Sequence, residues 1–306
     1  ASPAQAEAWP ARPITIVLSQ PAGSSPDIIA RILGERMAQD LGQPIVIENR
    51  GGGQNVIGAM YAKRAKPDGY TYYLGTAAAI ATNPHTLKDL PYDPLNDFDP
   101  VGLVGISPFL VVTRADVPAK TLAELIALSK QSKTGLNFAS DGQYGFGSMI
   151  GESLKRTTGL NFVNVPYTGA AGAVQDLMGA HSHFTIVAIP PVRQFLEQGS
   201  LRALAVTTAQ RQPGLDDIAP VAETVPGVDY AGWFALFAPA GTPEEAIKGM
   251  NQALGTALEH PAAAERIKAL GIFTPGAGTP AGVREFVVKE LEMWRKTIAD
   301  IGLPPQ

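Results

Sequence analysis

The chain has no cysteine among its 306 residues. Thiol nucleophiles, thiolate metal ligands, iron–sulfur clusters and disulfides are therefore all excluded. Charge is sparse: 17% of the residues are Asp, Glu, Lys or Arg, and 24 bases against 28 acids give a formal net charge of −4. With that balance and no basic block, nucleic acid and anionic membrane surfaces are poor partners. No apolar run reaches the roughly 18 residues that a membrane-spanning helix needs. Histidine occurs only as His85, His181, His183 and His260, which leaves little material for acid–base or metal chemistry.

What is present is ordinary globular chemistry, with 45% hydrophobic residues and many loop-forming ones, Gly 32 and Pro 26. The length exceeds what one hydrophobic core usually organises, so one large or two medium lobes are expected. The chain begins with a small-residue stretch, Ala1 to Ala8. That stretch reads either as the remnant of a cleaved export signal or as an artificial extension.

Strand-like and helix-like segments alternate almost throughout, which predicts an α/β fold with parallel strands. The β-branched run Ile14–Leu18 is followed by a helix with Ser25 as N-cap and Pro26 in its first turn. Strands are predicted at 44–48, 70–74, 109–112, 136–139, 161–165, 184–187, 201–206 and 230–237. Residues 75–81 read as a turn region and 83–100 as a long loop rich in Pro and Asp. Capping boxes are expected at Thr121 with Glu124 and at Thr242 with Glu245. The segment 280–301 reads as a final amphipathic helix.

Familiar catalytic patterns do not fit. No G-x-S-x-G surrounds Ser24 or Ser148, and four scattered histidines make a poor source for a serine triad. His181-Ser-His183 has a spacing that suits a metal on a strand, but no acid or histidine nearby completes a set. Neither Gly51-Gly-Gly53 nor Gly145-Phe-Gly147-Ser-Met-Ile-Gly151 is followed by a Walker lysine, and the strand after the second, Asn161 to Val165, carries no acidic residue for a ribose. What recurs is a polar or glycine-rich turn after a strand: Pro21 to Asp27, Gly75 to Ala79, Ser140 to Ser148, and Tyr167 to Ala171. Turns leading into helices offer backbone N–H donors, hydroxyls and a positive dipole end, all suited to a carboxylate. None of these turns contains Lys or Arg, so neutral donors would hold the anion; individually, such residues also serve as helix caps.

These turns, in this order, resemble the Bug receptors, periplasmic solute-binding proteins of the tripartite tricarboxylate transporter family (TctC-like). The resemblance runs from about Trp9 to Leu303. It is carried by Trp9-Pro-Ala-Arg-Pro-Ile-Thr-Ile-Val17, the Pro21-to-Asp27 loop, Val46-Ile-Glu-Asn-Arg-Gly-Gly-Gly53, Pro67-Asp-Gly-Tyr-Thr71, Leu90-Pro-Tyr-Asp-Pro94, Val165-Pro-Tyr-Thr-Gly169, Gly199-to-Val206, and Trp233 with Ala238-to-Pro243. It implies an α/β two-lobed periplasmic-binding-protein fold (Venus flytrap, type II) with a ligand cleft between lobes. Domain 1 would comprise residues 1–110 and 231–306, and domain 2 residues 111–230.

The resemblance also implies the ligand-binding residues. Ala22, Gly23, Ser24 and Asp27, with Thr76 and Ala77, would form one jaw. Ser140, Gly147, Ser148, Tyr167, Thr168 and Gly169 would form the other. Asp27 reads as steadying its helix and positioning donors rather than touching ligand. Tyr144 and Phe146 sit in a loop richer in aromatics than the usual family form; they would either cover a flat ring or seal the lobe surface. The expected function is a periplasmic receptor, with its signal peptide removed, that binds a small organic carboxylate without chemistry or cofactor. An aromatic dicarboxylate such as terephthalate is the first ligand to consider. The partner would be the membrane permease of a tripartite transporter or a sensor protein, and the receptor itself would be a monomer. The rival expectation is an enzyme using Asp27 or His183 as a base on a small carboxylate.

Overall fold

A computed structural model describes residues 8–306; most of the small-residue stretch read as an export remnant or extension, Ala1–Glu7, lies outside the described residues. The chain divides into two compact units. Unit 1 takes the chain through Ile106, then Trp233–Arg295 and Pro304–Gln306; unit 2 comprises Ser107–Gly232 and Lys296–Leu303.

Unit 1 grows around strand β1 (Ile14–Leu18), which pairs in parallel with both β2 (Ile45–Asn49) and β3 (Thr71–Thr76). Its run of β-branched residues suits a strand covered on both faces, and four of its five residues are buried. Helix α1 (Ser25–Leu41) follows β1 and turns Ile29, Ile32, Leu33 and Met37 into the core. Helix α2 (Val56–Lys63) follows β2. After β3 a wide helical turn, Ala78–Thr82, leads directly into the four-residue helix α3 (Asn83–Thr86). The long strand β4 (Phe98–Arg114) begins in unit 1 and continues past its boundary.

Unit 2 then builds α4 (Leu122–Gln131), β5 (Leu136–Ser140), α5 (Phe146–Thr158), β6 (Phe162–Pro166), α6 (Ala170–Met178), β7 (Phe184–Ala188), α7 (Arg193–Glu197) and β8 (Leu201–Val206). Strand β5 pairs in parallel with β6 and β7, while β4 pairs antiparallel with β7 and β8. Phe138, Phe162 and Phe184 form an aromatic core, with centroid separations of 4.8–5.7 Å in stacked and edge-on arrangements. The chain returns to unit 1 in β9 (Ala231–Pro239), whose Phe234–Phe237 segment lies antiparallel to β3. Helices α8 (Glu244–Glu259) and α9 (Pro261–Ala269) complete the unit 1 core with Met250, Leu254 and Ile267, and α10 (Pro280–Ile301) runs from unit 1 residues into unit 2 residues.

Several local expectations change. The strand expected at 109–112 is 17 residues long, because pairing with neighbouring strands sustains Pro100, Pro108 and the glycines between them in extended form. The 75–81 turn contains the end of β3 and an alanine-rich helical turn instead. The sheets are mixed rather than all parallel: β4 and β9, in which the chain changes unit, make the antiparallel pairs. Ser24, not Ser25, caps α1, and its hydroxyl donates to the Pro21 carbonyl at 2.7 Å rather than serving the helix. Thr242 likewise bonds Pro239, so the second capping box does not form and Pro243 occupies the N-cap.

Candidate functional site

In α/β sheets, ligands meet the loops at the carboxyl ends of parallel strands. In unit 1, β1 and β3 are neighbours in register, Leu18 opposite Leu74. Their loops therefore put Ala22, Gly23 and Ser24 on the same sheet edge as Thr76 and Ala77. Ala22 and Gly23 are exposed, while Thr76 and Ala77 are buried. The Thr76 hydroxyl accepts the Ala79 N–H at 3.2 Å and so caps the helical turn behind it.

Asp27 is 3% exposed and points back into this loop. One carboxylate oxygen accepts the Gly23 N–H at 2.9 Å and the Arg31 Nε at 3.1 Å; the other accepts from Asn49 Nδ2 at 3.0 Å and pairs with Arg31 Nη2 at 2.9 Å. Burial pushes its pKa up, but the bonds from Arg31, Gly23 and Asn49 outweigh it and leave the carboxyl below its ordinary value. The result is a charge-balanced clasp that fixes the Gly23 turn and uses its N–H. Arg31 and Asn49 were not legible as site residues. Arg31 has the i, i+4 spacing that marks a helix ion pair, whereas Asn49 reaches Asp27 only through strand pairing.

In unit 2, β5 and β6 are parallel neighbours with Ser140 opposite Pro166. The loops after them carry Ser140–Ser148 and Tyr167–Gly169, and the Tyr167 N–H donates to the Ser140 carbonyl at 2.9 Å. Ser140 and Ser148 are buried and Thr168 is exposed. The Ser148 hydroxyl accepts from Asn164 Nδ2 at 3.0 Å, and the Tyr167 hydroxyl donates to Asp176 on α6. Helix α6 begins at Gly169, φ 88°, without a side-chain cap.

The beginning of α5 differs from expectation. Asp141 folds back beneath its own loop, where its carboxylate accepts the Ser148 N–H at 3.1 Å and the Gly147 N–H at 3.3 Å. These are donors that the sequence reading assigned to a ligand. Burial pushes the Asp141 pKa up, partly offset by these backbone N–H groups. Gly145 makes the fold-back possible, since a Cβ there would overlap the Asp141 carboxyl; at Gly147 a Cβ would instead overlap the Ile186 carbonyl oxygen on β7. The Phe146 ring lies against Phe109, with centroids 5.2 Å apart. Tyr144, in the same loop, is partly buried.

His181 and His183 lie in the bend before β7, not on a strand. His183 Nδ1 accepts the Asn137 N–H at 2.9 Å, and burial together with Arg114 lowers its pKa. Among the described residues, no group of three or more His, Asp or Glu is placed to hold a metal ion. No helix among them is long and apolar enough to cross a membrane.

Two α/β units, with helix starts gathered at parallel strand ends and antiparallel strands carrying the chain between them, define the periplasmic-binding-protein class of fold. Solved structures agree. The periplasmic binding protein BugD matches with a TM-score of 0.81 and 30% identity over 97% of this chain and 100% of that one. Rpa4515 of R. palustris, solved with adipate, gives 0.84 and 33% over 97% and 100%. MatC from Rhodopseudomonas palustris, with bound malate, gives 0.77 and 29% over 95% and 100%. Within that class, the family model for the tripartite tricarboxylate transporter family receptor (TctC) matches residues 29–303, and the chain belongs to this family.

Proposed function

We propose that this chain is a periplasmic receptor that binds a small organic carboxylate and hands it, as a monomer, to the membrane permease of a tripartite transporter. The observation that carries this reading is family membership over nearly the whole chain, with relatives of the same fold solved with adipate and malate. The lining residues we assign are in the loops at the strand ends: Ala22, Gly23 and Ser24 with Thr76 and Ala77 in unit 1, and Ser140, Tyr144, Phe146, Gly147, Ser148, Tyr167, Thr168 and Gly169 in unit 2. Asp27 positions the first of these. The ligand leaves unchanged, because the assigned groups are hydroxyls, amides and capped carboxylates rather than a nucleophile with its base.

A melting-shift screen with aliphatic and aromatic mono- and dicarboxylates tests the reading, with terephthalate as the aromatic dicarboxylate arm. At least one carboxylate is expected to raise the melting temperature in proportion to the logarithm of its concentration. Chromatography of the incubated ligand is expected to recover it intact; consumption of the ligand selects the enzyme reading instead.

A further inference from the structure

A surface helix ordinarily turns its large apolar residues to the core. Helix α2 of unit 1 does the reverse: its buried residues are the small Gly58, Ala59 and Ala62, while Ile57 and Tyr61, one turn apart, are 52% and 41% exposed. Close packing accounts for the small residues, since a Cβ at Gly58 would overlap Ser19. The large ones are left towards water. The sheet beside them is also incompletely covered. Val46, Thr15 and Thr71 stand opposite one another on β2, β1 and β3 and so share a face. Ile45 and Ile47 pack on Gly34 of α1, so this row faces the other side, and Val46 is 49% exposed. Along α2 and Thr71 runs a groove of about 790 Å³ whose lining includes four cations, Arg12, Arg50, Arg64 and Lys66. All of it lies within unit 1.

Two of these cations are already answered: Arg12 pairs with Asp68 at 2.9 Å, and Arg50 pairs with Glu48. Each also lies over an aromatic ring, Arg12 over Tyr70 and Arg50 over Tyr61, with 3.9 Å from guanidinium carbon to ring centroid. Such stacking immobilises the planar fork while leaving its edge donors usable. Arg64 and Lys66 are exposed, and among the described residues neither forms an ion pair. A chain of net charge −4 thus keeps two unanswered positive charges beside exposed aliphatic and aromatic side chains. Two are few for a lipid surface, where clusters of roughly four to eight Lys or Arg are used, and the acidic chain as a whole is repelled by an anionic bilayer. A protein segment whose carboxylates flank an apolar side chain complements both parts of the groove.

We propose that this groove is a docking surface for a partner protein, taking an acidic segment whose carboxylates meet Arg64 and Lys66 while an apolar side chain between them rests on Ile57 and Tyr61. Thr15, Val46 and Thr71 are at the amino ends of their strands, whereas the candidate ligand loops follow the carboxyl ends. Docking here therefore requires no carboxylate ligand, and it stands or falls separately from the receptor reading.

The test is fluorescence anisotropy with a labelled peptide in which Glu and Asp alternate with Leu and Phe, beside a control peptide carrying Lys at every acidic position. The acidic peptide is expected to bind with a dissociation constant on the order of 100 μM or below, and to bind less tightly as salt is raised. Reversing both unanswered charges, Arg64→Glu with Lys66→Glu, is expected to weaken it about tenfold. Ile57→Ser is expected to weaken it about fivefold, which diffuse charge attraction alone would not produce. All three positions are exposed, so unchanged melting temperatures are expected and show that the variants fold. No binding of the acidic peptide, or equal binding of the Lys peptide, overturns the proposal. So does an affinity that survives either substitution. Capture of the unmodified protein by phosphatidylcholine–phosphatidylglycerol vesicles, lost on charge reversal, assigns the groove to a membrane and overturns the protein partner. A dimer in sedimentation, lost in the same variant, assigns it to a second copy of this chain and does likewise.

Discussion

At Asp27, three different parts of unit 1 meet on one carboxylate: the first loop through Gly23, α1 through Arg31 and β2 through Asn49. Asp27→Asn removes the charge that Arg31 answers and is expected to cost about 1–3 kcal/mol in urea unfolding. The pH dependence has a definite sign. The folded pKa lies below the ordinary 3.8, so the contribution is fully present above that value and is lost as pH falls through the folded pKa. Acid titration followed by circular dichroism should therefore show a shallower loss for the variant than for the unmodified protein. Gly147 presents a steric constraint instead. An added methyl would overlap the Ile186 carbonyl, part of the backbone, so Gly147→Ala is expected to destabilise by about 2–3 kcal/mol, read as a lower urea midpoint.

Elements are joined by caps and by bonds between strand ends. The Thr121 hydroxyl accepts the Glu124 N–H at 3.1 Å and starts α4, as the sequence pattern predicts, although Glu124 reaches back to the Lys120 N–H rather than to that of Thr121. Thr121→Ala is expected to cost about 1 kcal/mol in the same unfolding measurement. Where β7 starts beside β5, His183 must be neutral to accept the Asn137 N–H. Its folded pKa lies below the ordinary 6.5, through burial first and Arg114 second. The unfolded chain therefore takes up the proton first, and stability is lost as pH falls below about 6.5. His183→Gln, which keeps an acceptor without this titration, is expected to flatten the stability difference between about pH 7.5 and about pH 5.5.

For the whole molecule the relevant measurement is linkage. A carboxylate that binds only the folded chain, at a hundredfold excess over its dissociation constant, should add about 2.7 kcal/mol of stability. That should appear as a rise of several degrees in melting temperature for a chain of this size.

The sequence by itself determined the alternation of strands and helices, because apolar periodicity and Gly/Pro punctuation are local properties. It located β1, β8 and α10 to within a residue or two, and it placed the candidate loops after strands. It also excluded every thiol-dependent chemistry, since composition needs no folding to be read. It did not reveal that β4 is 17 residues long, because strand length through Pro and Gly is supported by neighbouring strands rather than by the residues themselves. Nor did it reveal that Asp141 and Asp27 take up backbone donors of their own loops. A carboxylate six residues before the N–H it accepts, or 22 residues before the amide that holds it, has no signature in spacing. Only the folded chain decides which acceptor reaches a donor first, because that depends on distance in space.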